Sequence, residues 1–299
     1  MTHRRAVALM ILATLMWSIA GVVTRHLEAA RGFEMTFWRS VFTALSLVLA
    51  LSVMRGAALW HGLARAGWPL WVSGACWAVM YIAFMIALSL TTVANVLVTL
   101  ALGPLITALF ARLFLGHVLA PRTWLAIAVA SSGIAWMFGR DAVAGASPAG
   151  TLVAFMVPLA AAINWTVLQF VANRKIMFAA RVDMLPAVLI GAVLSALAML
   201  PLAYPPQVSA HDLGLLALLG IVQLAIPCLL VVRLSRELPA AEISLLGLLE
   251  VIFGVTWAWL GAGEEPSSAT LVGGALVVAA LVGNELLALT QERDARAPA

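Results

Sequence analysis

Apolar residues in this chain come in long blocks, and polar residues are confined to short interruptions between them. Ten blocks are long enough to cross a hydrocarbon layer of about 30 Å as helices: 6–24, 33–53, 68–89, 92–111, 122–139, 150–172, 184–204, 213–232, 240–262 and 268–289. Residues 66–111 carry no charge at all. That run is too long for one helix and suits a hairpin turning near Ser89-Leu90-Thr91-Thr92. The opening MTHRR and the apolar run after it imitate a signal peptide, but the run has no clear small-residue cleavage site, so it is read as an uncleaved first helix.

Composition makes this reading unavoidable. Of 299 residues, 64% are apolar and 10% charged, and the mean hydropathy is +1.07, against about 45–50% and about 25% in soluble domains. Cys76 and Cys228 each sit inside an apolar block and act as small hydrophobes rather than as a disulfide or metal pair. The excess of four positive charges is scattered, which excludes a nucleic-acid partner, and its placement carries topology instead. With the N-terminus cytoplasmic, thirteen Lys and Arg fall on the inner side, among them Arg174, Lys175, Arg181, Arg293 and Arg296. Only Arg25, Arg31 and Arg140 fall on the other side. This segregation predicts a multi-pass protein of the plasma (inner) membrane with both termini cytoplasmic. Arg39 alone lies within a span.

A shift of 147 positions lays residues 94–130 over 241–277, matching Leu102 with Leu249, Leu113 with Leu260, Gly116 with Gly263 and Thr123 with Thr270. A shift of 148 lays LMWSIA over INWTVL and pairs Trp17 with Trp165. Five helices per copy is an odd number, so the second copy enters from the opposite side. The expected fold is all-α and integral to the membrane: ten transmembrane helices as two five-helix inverted repeats, 1–144 and 145–290, with a cytoplasmic tail at 291–299.

Chemistry of other kinds finds no footing. The five histidines fall in connections or the tail, and there is no HExxH, no paired carboxylates and no glycine-rich phosphate loop, so neither enzyme, metal site nor cofactor is expected. Pro104, Pro158 and Pro227 interrupt spans and free the carbonyls of Leu100, Ala154 and Gln223, which makes them candidate hinges. Kinks satisfied by neighbouring helices are the alternative. Tryptophan normally prefers the headgroup belt, so Trp17 and Trp165, deep and in corresponding positions, are candidates for a substrate-stacking wall. Trp77 and Tyr81 at i, i+4, and Asn95, Thr99, Asn164, Gln169 and Gln223, extend the candidate cavity. Core packing and interhelical hydrogen bonding are the plainer readings of these residues. Glu250 stands alone in LGLLEVIFGV, where a charge at the bilayer centre costs roughly 2.5–3.5 kcal/mol or more, so it must be neutral, paired or wetted. Glu242 and Glu285 lie nearer helix ends and are read as interfacial. Ala275, Ala279 and Gly283, with Ala128 and Ser132, form small-residue stripes expected at helix contacts within or between protomers.

The stretches LMWSIAGVVTRHL, FWRSVFTALSLVLAL, TTVANVLVTLALGPLITALFARLFLGHVLAPRTWLAIAVASSGI and AAEISLLGLLEVIFGVTWAWLGAGEEPSSATLVGGALV carry a family resemblance. The chain resembles the EamA family of the drug/metabolite transporter superfamily, and within it the aromatic amino-acid exporters. The family's Glu-Pro of the ninth helix appears here as Glu250-Val251, and its Leu-Gly-Glu after the fourth and ninth helices as His117 and Glu264 at the third place. The resemblance implies a central cavity shared by both halves and export of small neutral or aromatic amino acids by alternating access. The multidrug members of the superfamily carry a proton-exchanging glutamate in the first helix; block 6–24 has none. The expected partners are a small-molecule cargo and the lipid bilayer, with the chain a monomer or homodimer. Export of cationic drugs, and a non-transporting scaffold or sensor, stand as alternatives.

Overall fold

The computed structural model describes residues 2–30, 32–91, 93–144, 147–178, 183–262 and 267–294. Thr92, Glu264, the end of the tail (295–299), and Arg31, Arg181 and Arg296 lie outside them, as do the side chains of Arg140, Arg174, Lys175, Glu285 and Arg293. Among the described residues every regular element is a helix: α1 (His3–Trp17), α2 (Ala20–Thr24), α3 (Phe33–Arg55), α4 (Ala57–Ala64), α5 (Trp68–Leu90), α6 (Val93–Leu100), α7 (Gly103–Leu115), α8 (Pro121–Ala144), α9 (Pro148–Phe178), α10 (Pro186–Met199), α11 (Ala210–Leu218), a π-helical segment (Leu219–Ala225), α12 (Ile226–Leu234), α13 (Ala240–Gly247), α14 (Leu249–Ala262) and α15 (Ser268–Asp294). Taken with their continuations, seven stretches are long and apolar enough to cross a membrane: His3–Thr24, Phe33–Arg55, Trp68–Leu90, Asn95–Leu115, Pro148–Asn173, Ala210–Leu234 and Ala240–Gly261. Pro186–Met199 and Ser268–Asn284 are shorter apolar helices. The connection after α3 folds into α4, which the block pattern does not predict; it buries Leu59 and leaves Trp60 half exposed.

Several long segments are broken midway, and each break has a local cause. Ser18 ends α1 and bonds back to the Leu15 carbonyl at 2.7 Å, a side-chain competitor for the helix ladder that bends it. Pro104 starts α7 after a turn at Ala101–Leu102, and the Ala101 carbonyl accepts a 2.8 Å bond from the Ser131 hydroxyl. Before Pro227 the helix widens into the π segment, which holds Gln223. Such π turns are rare and recur at functional sites. The fourth break, at Leu248 between α13 and α14, has no proline and lies 147 positions after Ala101. Pro158 is different from the other two candidate hinges: it lies inside the unbroken α9 and packs near Gly103 at the start of α7.

The helices approach each other most closely at glycines. Gly220 of the π segment presses on the α3 backbone, where a Cβ would meet the Arg39 carbonyl and the Phe42 Cβ at 2.7 Å. Gly74 on α5 and Gly191 on α10 make the same kind of crossing with each other's helices. Alongside it, Ser40 of α3 and Ser195 of α10 share a 2.9 Å hydroxyl contact. The peripheral pair α8 and α15 crosses at Gly133 and Gly273, with Ala130, Ile134, Val277 and Leu281 buried beside them. The expected stripes are not this contact: Ala128, Ser132, Ala275 and Ala279 face outward. A helix this rich in Ala and Gly has small residues on more than one face, and backbone approach at Gly273 selects the packed one.

A side chain at Gly273 would meet Met137 and the Gly133 backbone. Overpacking of this kind costs about 1–3 kcal/mol. Gly273→Val is therefore expected to lower the thermal midpoint of the purified protein in detergent, whereas Gly283→Val, at a position with nothing within 4 Å, should leave it unchanged.

Candidate functional site

The middle of α5 presents Ser73, Trp77 and Tyr81 at intervals of four, so all three point from one face. Trp77 meets Trp165 of α9 edge to face, with ring centroids 5.4 Å apart, and stacks at a tilt on Tyr81 at 5.8 Å. The Tyr81 hydroxyl donates to the Cys228 sulfur of α12 at 3.3 Å, and the Trp17 indole also reaches that sulfur. Gln223 in the π segment donates through Nε2 to the Trp17 carbonyl at 3.3 Å, capping the broken end of α1. One turn from Trp77, the Ser73 hydroxyl donates to Asn164 Oδ1 at 2.6 Å. Arg39, 2% exposed, reaches in from α3 and donates through Nη2 to the Tyr81 carbonyl at 3.2 Å.

Four polar atoms in this group are buried with no partner: Arg39 Nε, Trp77 Nε1, Asn164 Nδ2 and Gln223 Oε1. Buried polar groups are almost always satisfied, so a cluster of exceptions calls for a reason. Glu250 completes the group electrically. It sits half-buried in the first turn of α14, a helix that begins mid-span, where unsatisfied N–H groups and the helix dipole favour a carboxylate. It lies within electrostatic reach of Arg39 and of Cys228 but forms no direct ion pair with Arg39.

The structure thus gathers six of the ten candidate cavity residues, Trp17, Trp77, Tyr81, Trp165, Gln223 and Glu250, with Asn164 at the margin. It places the other three elsewhere. Gln169 is used at both ends: its Oε1 accepts from the Ala240 backbone N–H at 2.9 Å and its Nε2 meets His117 Nδ1 at 3.1 Å, so it pins α9 to α13 and to the turn after α7. Asn95 bonds Thr91 and Thr151, and Thr99 bonds back to the Asn95 carbonyl, tying α6 to the start of α9. Thr99 borders an open, mainly apolar recess with Leu102, Pro148 and Phe155, away from the tryptophans. Gln169 and Asn95 are thus bonded to neighbouring elements and Thr99 to its own helix; Gln169, four residues after Trp165, shares its face one turn farther along.

Two carboxylates that the block pattern passes over organise the end of the bundle remote from the N-terminus. Asp212 accepts backbone N–H bonds from Glu28, Ala29 and Ala30 at 2.8–2.9 Å, fastening the connection between α2 and α3 to α11. Its own N–H bonds to the Ser209 hydroxyl, the helix N-cap. Glu34 likewise accepts from Gln207 and Val208 at 2.8 and 3.0 Å. The signal was present as Ser209-x-x-Asp212 before an apolar run, a capping pattern. At the other end the ties include Arg55 with Asp183 at 3.1 Å and His3 with Glu242 at 3.2 Å.

Comparison with known proteins finds the EamA-like transporter family twice along the chain, over residues 4–139 and again over 148–284. The chain belongs to the EamA-like transporter family. It is accordingly a multi-pass membrane transporter of small molecules and not an enzyme. This family member is also similar to the pseudopaline exporter CntI of two Pseudomonas aeruginosa strains, UCBPP-PA14 and PAO1. Each is 26% identical over 288 residues, which cover 93% of this chain and 95% of the relative. A solved crystal structure at 21% identity matches 96% of this chain and 99% of its own with a TM-score of 0.75, which shows the same fold.

The Asp212 contacts of this transporter generate an expectation. Asp212→Ala removes the acceptor for three backbone donors at once, so amide hydrogen exchange of Glu28–Ala30 should accelerate markedly over the wild type. Asp212→Asn, which keeps an acceptor oxygen, should fall between.

Proposed function

We propose that this transporter exports small metabolites, foremost aromatic and other neutral amino acids, across the plasma membrane by alternating access. In this reading ten helices form two inverted five-helix repeats, 1–144 and 145–290, with both termini cytoplasmic, and cargo occupies the group around Trp17, Trp77, Tyr81 and Trp165. The family's double match along the chain favours two copies. So do the breaks at Ala101 and Leu248, one repeat apart. Tyr81 and Cys228 are also 147 positions apart and touch each other, as equivalent residues flanking a two-fold axis would. The inner-side excess of Lys and Arg supports the orientation.

The observation that carries the cargo assignment is the aromatic wall of Trp77, Tyr81 and Trp165 bordered by the unpartnered atoms Trp77 Nε1, Asn164 Nδ2, Gln223 Oε1 and Arg39 Nε. Rings offer apolar area to a side chain, while the unpartnered donors and acceptor offer bonds to polar groups of a small amphoteric molecule. Sites of this kind lie near the midplane between repeats in secondary transporters. A second reading, export of a metabolite resembling pseudopaline, is favoured by the full-length similarity to CntI.

The test is counterflow into proteoliposomes loaded with unlabelled cargo, using radiolabelled phenylalanine or tryptophan outside and competitors from neutral amino acids, pseudopaline and cationic dyes. Accumulation competed by neutral amino acids is expected. Accumulation of nothing but dyes, or competition by pseudopaline alone, would sink the amino-acid reading. Trp165→Ala and Tyr81→Ala should each lower uptake by about tenfold or more, the equivalent of ~1.4 kcal/mol. Gln169→Ala and Asn95→Ala should leave the rank order of competitors unchanged.

A further inference from the structure

We propose that Arg39 is the receptor for a carboxylate on the cargo, so that a carboxylate is the group a molecule must carry to be transported. The inference rests on the transport reading above and names the obligatory group of its cargo. A guanidinium cannot shed its proton inside a protein, so Arg39 brings a fixed positive charge to the centre of the bundle. Its hydrogen bonding is largely unspent. Nη2 donates to the Tyr81 carbonyl, a helix carbonyl also placed for its own ladder, and Nε is buried without a partner. Glu250 senses the charge without pairing to it. What is left includes the Nε–H, which faces no acceptor; the planar guanidinium edge to which it belongs is one that carboxylates fill bidentately.

The backbone keeps this edge in place. Gly220 lies against the Arg39 carbonyl, and the Thr43 hydroxyl bonds that carbonyl at 2.7 Å and the Gly220 carbonyl at 3.0 Å. α3 is thereby clamped to the π segment at the residue that bears the charge, and the side chain is aimed inward toward Tyr81 rather than outward to lipid headgroups. Acceptors stand nearby for a cationic or donor group on the same molecule: Gln223 Oε1 is unpartnered and Glu250 is half-buried. The charge is also one-sided. The position 147 residues after Arg39 is Pro186, so one half of the bundle supplies the cation and cargo would be held in a single orientation.

The experiment compares matched acid and amide pairs binding to the purified full chain, read by intrinsic tryptophan fluorescence and by thermal shift. The pairs are phenylalanine with phenylalaninamide, 3-phenylpropionate with 3-phenylpropanamide, and, without a ring, leucine with leucinamide. In the wild type each acid should bind about tenfold more tightly than its amide. In Arg39→Gln the ratio should fall to about one, through loss of acid affinity, with amide affinity unchanged. Arg39→Lys keeps the charge without the fork and should retain only part of the discrimination, which also decides the matter where Arg39→Gln fails to fold. Equal binding of acids and amides by the wild type, binding of neither, or undiminished discrimination in Arg39→Gln overturns the proposal. Failure of the amino-acid reading looks different: leucine or phenylpropionate would still be preferred over its amide, but counterflow of aromatic amino acids would be absent.

Discussion

A helix broken in the middle of a membrane must find protein partners for the backbone groups it frees, because hydrocarbon offers none. That requirement links the breaks in this chain to the rest of its structure. The Trp17 carbonyl at the end of α1 is taken by Gln223, the Ala101 carbonyl by Ser131 and the Gly220 carbonyl by Thr43. Each of these bonds joins segments far apart in sequence, so repairing a break also docks one helix on another. The glycine crossings follow from the same need, since a hydroxyl or amide reaches a neighbour's backbone only where the two helices run nearly in contact.

The same constraint accounts for the charges. A glutamate in the interior of a continuous span would face lipid or tails of other helices with every N–H already used. In the first turn of α14 it sits instead at the start of a helix, where the dipole is of favourable sign. Arg39 is held in a complementary way, next to a helix carbonyl and with Glu250 close enough to offset its charge over the bundle. Two ionisable groups near one another but not locked together leave both partly available. A tight pair would have neutralised the site; two isolated ions would have cost more desolvation than a small bundle returns.

Much of this was legible in the chain. The apolar blocks locate the long helices because a bilayer asks for about 20 apolar residues per span, and the breaks at Ala101 and Leu248 lie one 147-residue shift apart. Trp17, Trp77, Tyr81 and Trp165 could be singled out because tryptophan and tyrosine away from the headgroup belt need an explanation. Which polar side chains would be spent on interhelical bonds was not legible, because spacing fixes a residue's face and depth but not its partners, and these come from distant sequence: Ala240 and His117 for Gln169, Thr151 for Asn95. The π segment was foreshadowed only as a proline kink, since nothing in LGIVQLA distinguishes an i→i+5 turn from an ordinary one. Ser209-x-x-Asp212 marks only a helix start; the tie it makes escaped because the backbone N–H groups Asp212 collects lie in a connection 182–184 residues away, which no side-chain pattern records.

The two ends of the bundle are closed by different chemistry, and this bears on how a cavity at the centre would communicate with water. At the end remote from the N-terminus, buried carboxylates collect rigid backbone donors from connections, three on Asp212 and two on Glu34. At the N-terminal end, Arg55 and Asp183 are 43% and 33% exposed, and pairs of that kind contribute about 0–1 kcal/mol and weaken with salt. Gln169 with His117 and Ala240 adds neutral bonds there. Ties made to backbone are all-or-none, because the connection must lift away as a unit for any of them to break, whereas side-chain pairs at the surface exchange with water one at a time. The clamp of α3 on the π segment joins Arg39 to the continuation of α11, the helix that carries Asp212, and so links the centre of the bundle to these backbone ties.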